Sequence, residues 1–319
     1  MRVRVRVLAC IAASFWPLVT VAGQTPAAAS APANHPCTSV IAYRVPGSTQ
    51  DATSRAMVVV PHEYLRDAGE GVSAKRYPVV YLLHGYAVTY TRYDEKFREA
   101  GRRLVDLADR FGAILVMPDG NRSSWYLDAF PDLPDAADWQ YERIIIEHAI
   151  PAVDGRYRTW AERAGRGITG MSMGGHGALY LAARHPGLFA AATSMSGLMI
   201  LRNTTNPQDL AKRLGRLEEH RLRWIEHSVL QQADKFVGRD VALLLDCGWD
   251  DPFVWDHRML HDKLMRLGVA HDYIERPGKH EWPYWINALP YHLQFITDRL
   301  KPAGFTAGRA AGRGPAIRR

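Results

Sequence analysis

Between residues 37 and 300, short apolar runs alternate with stretches of helical spacing. Val40–Val45 and Ala56–Pro61 read as an antiparallel opening pair. Pro78–Leu83 is a continuous apolar run ending in His84-Gly85, the pattern of a strand buried on both faces. Phe97, Leu104, Leu107, Ala108 and Phe111 recur at helical spacing, and Ala113–Met117 follows as a strand. Tyr141, Ile144, Ile145 and His148 mark the next helix, ahead of a strand at Arg166–Thr169. A helix over Gly175–His185 stops before Pro186, and Ala190–Ser194 returns to strand character. Strands at Val241–Asp246 and Ala270–Glu275 then alternate with helices at Phe253–Leu267 and Pro283–Leu300. This alternation predicts an α/β fold of βαβ units, with a mainly parallel central sheet flanked by helices. Residues 200–237 are too long for a simple connection and predict a helical insertion over the sheet edge.

The chain ends depart from this pattern. Arg2, Arg4 and Arg6 precede an apolar stretch from Leu8 to Val21, and the small residues Val21-Ala22-Gly23 follow. This order predicts a signal peptide over 1–23 and a secreted or periplasmic protein. Pro17 and the shortness of the stretch argue against a bilayer span, so no stable membrane span is expected once the signal is removed. Cys10 raises the alternative of a lipid anchor, which fits poorly because most of the apolar run follows it. Residues 24–36 are Ala/Pro-rich and read as a linker, 37–300 as the folded domain, and 301–319 as a basic disordered tail.

Charge changes the picture once it is located. The net charge is +7, but three arginines near the start and five basic residues after 300, with no acid in either tail, leave the body at −1. A basic stripe is not needed on the fold, and nucleic acid is not an expected partner. Cys37 and Cys247 remain after signal removal. An oxidising compartment permits a bridge between them, but spacing alone does not establish proximity, and two scattered cysteines make no zinc motif. No cofactor or metal is expected.

Gly170-Met171-Ser172-Met173-Gly174 sits between the 166–169 strand and the following helix. Strand, G-x-S-x-G, helix is the turn that exposes a nucleophilic serine, with glycines where a β-carbon would clash and a helix N-terminus beside the developing oxyanion. A nucleophilic serine needs a base and the base an orienting acid, and both should follow strand ends. His280, in Pro277-Gly278-Lys279-His280, fits the base. Asp250 and Asp251 both follow the 241–246 strand; Asp251, three residues after Gly248, is the favoured acid. The chain order Ser, Asp, His is that of α/β-hydrolases. The oxyanion donors expected are the backbone N–H groups of Met173 and of Tyr86, in the loop after the third strand. His257 and His261 lie four apart, but Arg258 replaces the glutamate of a zincin, and both are expected at the surface.

From about Tyr77 to Leu300 the chain resembles the esterase family of α/β-hydrolases. That family includes esterase D/S-formylglutathione hydrolases, tributyrin and feruloyl esterases, and the antigen 85 mycolyltransferases. The likeness rests on Tyr81-Leu82-Leu83-His84-Gly85, Pro118-Asp119-Gly120 with Ser124-Trp125-Tyr126-Leu127-Asp128, and Tyr141-Glu142 before Ile150-Pro151. Further matches are the elbow itself, His185-Pro186-Gly187-Leu188-Phe189 with Ser196-Gly197, Gly248-Trp249-Asp250-Asp251-Pro252 and Gly278-Lys279-His280-Glu281-Trp282. The resemblance implies an exported serine carboxylesterase acting on a small-molecule or carbohydrate ester through an acyl-enzyme. An antigen 85-type acyltransferase or a feruloyl or acetyl sugar-ester esterase are the alternatives, and a non-catalytic binding protein is disfavoured by the intact triad pattern. Trp125, Tyr126, Trp249, Trp255, Trp282 and Trp285 gather near the site loops, with Trp125, Tyr126 and Trp282 the candidates to line a substrate pocket. Acyl and alcohol specificity and oligomeric state are not legible from the chain.

Overall fold

A computed structural model describes residues 35–47, 53–67 and 75–300; the leader, most of the linker and the basic tail lie outside the described residues. Eight strands form one sheet in the order β1-β2-β4-β3-β5-β6-β7-β8. They are β1 (Thr38–Arg44), β2 (Thr53–Val59), β3 (Val79–Leu83), β4 (Ile114–Pro118), β5 (Arg166–Gly170), β6 (Ala191–Met195), β7 (Ala242–Gly248) and β8 (Asp272–Arg276). β2 pairs antiparallel with β1 and β4, and every pair from β4 to β8 is parallel. All five residues of β3, β4, β5 and β6 are buried; β3 and β4 are unbroken apolar runs, as a sheet covered on both faces requires, while β5 and β6 also bury Arg166, Thr169, Thr193 and Ser194.

The helices are α1 (His62–Arg66), α2 (Arg92–Glu99), α3 (Leu104–Phe111), α4 (Tyr141–Arg143), α5 (Ile150–Arg156), α6 (Met173–Arg184), α7 (Pro207–Leu214), α8 (Arg221–Glu226), α9 (Val229–Gln232), α10 (Val254–Arg266) and α11 (Trp282–Thr297). A π-spaced segment, Ile144–Ala149, joins α4 to α5 end to end. α11 packs on β5, β6 and β7 with α2 and α3 beside it, while α6 covers β3, β5 and β6 from the other face. Among the described residues no helix is long and apolar enough to cross a membrane.

Two expectations need correction. The helical spacing from Phe97 to Phe111 belongs to two helices, because Gly101 takes a left-handed φ of 67°. The Arg102 N–H bonds back to the Phe97 carbonyl at 2.8 Å and the Gly101 N–H to Arg98 at 2.9 Å, a glycine-dependent helix stop. The insertion does not cover a sheet edge. Its helix α9 packs against α6 and α10, one flanking layer of the sheet, and its first residues reach the mouth of the site described below. Cys37 and Cys247 are both buried and both free thiols, so no bridge joins them.

Asp246, fully buried near the end of β7, ties the layers together. Its carboxylate takes Tyr284 and His292 from α11 and Arg276 from β8, and His292 continues to Thr193 at 2.8 Å. Burial works against the charge, but the hydrogen bond and charge of His292, then Tyr284 and Arg276, hold the carboxyl below its ordinary pKa. Removing one partner of a buried ionic network leaves the others uncompensated. Asp246→Ala is therefore expected to cost about 3–5 kcal/mol of stability, measured by chemical denaturation.

Candidate active site

β5 ends and α6 begins within two residues, and the sharp turn between them carries Ser172 at φ 54°, ψ −121°. For a non-glycine residue this left-handed backbone is strained, and such strain collects where a side chain must be aimed. Only glycine fits on either side: a β-carbon at Gly170 would overlap the Gly174 carbonyl, and one at Gly174 would overlap the carbonyl oxygen of Leu83. The turn is held by Ser172 N–H to Met195 O at 2.9 Å and Gly174 N–H to Met171 O at 2.8 Å.

The loop after β8 brings His280 over this serine. Its Nε2 lies 2.9 Å from Ser172 Oγ and its Nδ1 2.8 Å from Asp251 Oδ2. An ionised carboxylate only accepts, so Nδ1 carries the proton and Nε2 is left to accept from the serine hydroxyl. Asp251 is 2% exposed, and its other oxygen takes the Phe253 N–H at 2.9 Å. Burial pushes its pKa up. The His280 hydrogen bond and charge, with Phe253 N–H and the Ser196 hydroxyl, outweigh burial and leave the carboxyl below its ordinary value. Asp250 is exposed and contributes its backbone N–H to Gly278 at 3.0 Å, so of the two neighbours only Asp251 reaches His280.

Met173 opens α6, where the first N–H groups have no intrahelical acceptor. Gly85 packs against Ser172, and Tyr86 follows it along the rim. The ring of buried His84 fixes this loop: Nε2 accepts the Gly120 N–H at 2.9 Å, and Nδ1 donates to Gly85 O at 2.9 Å. The side chain of Tyr86 reaches to the insertion, its hydroxyl bonded to Asp209 on α7.

A cleft of about 580 Å³ opens over Ser172 and His280, walled by Tyr86, Trp125, Phe253, Trp282 and Trp285, with Thr204–Asn206 of the insertion at its mouth. Trp125 and Trp282 thus occupy the places expected of them. Tyr126 does not: it is fully buried, fills the space that β-carbons at Gly120 and Gly177 would take, and donates its hydroxyl to His84 O at 3.1 Å. Trp249 and Trp255 are exposed and lie outside the cleft. His257 is not at the surface either: it is fully buried, and burial pushes its pKa down to about 4.

With this geometry in view, the comparisons with known proteins converge. Residues 51–296 match the family described as "Putative esterase". The chain belongs to that esterase family. An esterase of Mycobacterium tuberculosis is 29% identical over 275 residues, which cover 78% of this chain and 57% of the relative. The chain thus spans little more than half the length of that curated relative. An acetyl esterase of Caldicellulosiruptor saccharolyticus is 26% identical over 240 residues, covering 71% of this chain and 85% of the relative. A solved ferulic acid esterase superposes with a TM-score of 0.65 at 25% identity, covering 83% of this chain and 99% of its own. The sheet order and the elbow are those of the α/β-hydrolase fold.

In this esterase-family chain the sequence reading placed Trp285 near the site loops without giving it a role, and it gave none to Phe253. Phe253 and Trp285 meet the His280 ring edge-on, with centroids 5.0 and 4.9 Å away, and clamp it. The indole N–H of Trp285 donates to Ser196 Oγ at 3.1 Å, and Ser196 in turn supports Asp251. The i, i+3 spacing of Trp282 and Trp285 on one helix was the signal that both would face the same side.

Proposed function

We propose that this chain is an exported serine carboxylesterase in which Ser172, His280 and Asp251 carry the chemistry. The observation that carries the reading is His280 within hydrogen-bond reach of both Ser172 Oγ and the Asp251 carboxylate, on the floor of an open cleft. Ser172 Oγ attacks the ester carbonyl while its proton passes to His280 Nε2, and the negative carbonyl oxygen is received by the N–H groups of Met173 and Tyr86. The imidazolium, held by Asp251, then protonates the departing alcohol. Water, deprotonated by His280, attacks the acyl-enzyme, and the acid leaves with Ser172 restored.

The aromatic walls support an ester with an aryl acyl group or a sugar alcohol, since indole and phenyl faces pack on flat rings and on the apolar faces of sugars. Relatives named acetyl esterase and ferulic acid esterase agree with that class. Export rests on the Arg2, Arg4 and Arg6 leader pattern. N-terminal sequencing of protein recovered outside the cytoplasm is expected to begin near residue 24; an intact Met1 there would sink it.

A fluorophosphonate probe is expected to label the wild-type protein once, and Ser172→Ala to abolish the label. Absence of labelling in the wild type would favour a binding protein. A screen over p-nitrophenyl acyl esters and feruloylated or acetylated sugars would identify the acyl and alcohol parts.

A further inference from the structure

A second cluster of reactive side chains lies far from the cleft. His35, Cys37 and His62 each offer one donor atom, and the three atoms lie within 4.8 Å of one another. Cys37 is 2% exposed and its thiol is free. The two imidazoles meet edge-on with centroids 5.5 Å apart.

Both rings already have one nitrogen engaged. His62 Nδ1 sits 2.7 Å from Asp109 Oδ2, while the other oxygen of Asp109 accepts the His62 backbone N–H at 2.6 Å. His35 Nδ1 accepts the Cys37 backbone N–H at 3.2 Å. His62 thus has Nε2 left to offer, whereas neutral His35, accepting through Nδ1, holds its proton on Nε2 and ligates through Nε2 only in its other tautomer, with the Cys37 N–H contact released. A carboxylate on the far nitrogen is how ligating histidines are oriented and made more basic. The backbone is anchored as well: Thr38 N–H bonds to His35 O at 2.8 Å, and Val60 N–H bonds to Cys37 O at 2.9 Å. Three separate pieces of chain converge here, the segment before β1, the β2–α1 corner and α3.

We propose that His35, Cys37 and His62 form a zinc site, with Asp109 orienting His62. One thiolate and two neutral imidazoles suit Zn²⁺, and water completes the tetrahedron from the half-exposed side of the histidines. Ligands about 2.0–2.3 Å from zinc stand roughly 3.3–3.6 Å apart, so the donors close by about an ångström when the ion enters. The Cys37 thiol gives its proton to solvent as the Zn–S bond forms.

The site acts as a structural clip. β2 runs antiparallel to the strands beside it, so its end at Val59 lies where the parallel strands begin. Ser172, Asp251 and His280 follow the ends of parallel strands, at the opposite side of the sheet. Zinc is expected to stabilise the fold and leave ester hydrolysis unchanged.

The test uses the full chain freed of metal by chelator and titrated with ZnCl₂, then with CoCl₂. One Zn²⁺ per chain is expected, raising the melting temperature by about 5 °C or more at a hundredfold excess over Kd. Co²⁺ is expected to give a near-ultraviolet thiolate charge-transfer band and visible bands of a tetrahedral ion. Cys37→Ser should remove the charge-transfer band and the thermal shift, and Asp109→Asn should weaken zinc about 10–100-fold while keeping the band. Circular dichroism and fluorophosphonate labelling, compared with the wild type, establish that the variants are folded. Zinc binding that is substoichiometric, or unchanged in folded Cys37→Ser, would overturn the proposal and leave His62–Asp109 as an ordinary ion pair.

Discussion

His280→Ala is expected to lower kcat by about 10⁵–10⁶-fold, the scale seen when the base of a serine protease triad is removed. This corresponds to roughly 7–8 kcal/mol of barrier. His280 Nε2 lies 2.9 Å from Ser172 Oγ, and without it the serine attacks as a neutral alcohol with nowhere to send its proton. No neighbouring histidine substitutes. His176 points its Nε2 at the His227 carbonyl, 3.0 Å away, and His257 is shut inside the protein. KM should change far less than kcat, because the aromatic cleft remains. The substitution also leaves the buried Asp251 carboxylate without its His280 N–H donor, so a melting curve must accompany the kinetics. A loss of tenfold or less in folded protein would mean that another group serves as base.

Asp251→Asn is expected to lower kcat by about 10⁴-fold, against tenfold at most for Asp250→Asn. Asp251 accepts from His280 Nδ1 at 2.8 Å and so keeps the proton on the nitrogen away from the serine. An amide at that position can present a donor, which favours the other tautomer and blocks the serine proton's path; in a serine protease the same change costs about this much. Asp250 is exposed and acts through its backbone N–H, which Asn preserves. The reverse ranking would move the orienting role to Asp250.

Much of this arrangement was legible because it is written locally. β3 and β4 are buried on both faces and are unbroken apolar runs, and the elbow needs its glycines within five residues. Asp251 was favoured over Asp250 by its distance from Gly248, and it is the Asp251 carboxylate that lies 2.8 Å from His280 Nδ1. What could not be read depends on partners far along the chain. The Phe97–Phe111 spacing stays in helical phase across Gly101, so periodicity alone does not reveal the stop. Tyr126 was taken for a pocket residue because it stands beside Trp125 among the aromatics near the expected site loops. Its place is decided by space left at Gly120 and Gly177, the second of which lies in another helix. His257 was placed at the surface because α10 carries polar residues on several sides, and its burial follows from what the helix packs against. The proposed zinc site was out of reach for a similar reason: His35 fell in the segment read as a linker, and no spacing rule joins Cys37 to His62 on the far side of a hairpin.

The bond between the Tyr86 hydroxyl and Asp209 joins two parts of the protein that would otherwise vary independently. Tyr86 follows the loop fixed by His84, and Asp209 lies on α7 of the insertion whose first residues border the cleft. Altering α7 to admit a different ester would therefore pull on the loop to which the proposed mechanism gives an oxyanion donor. On the proposed reading selectivity and turnover are coupled through this bond, and redesign of the insertion has to preserve the Tyr86 contact if it is to change one without the other.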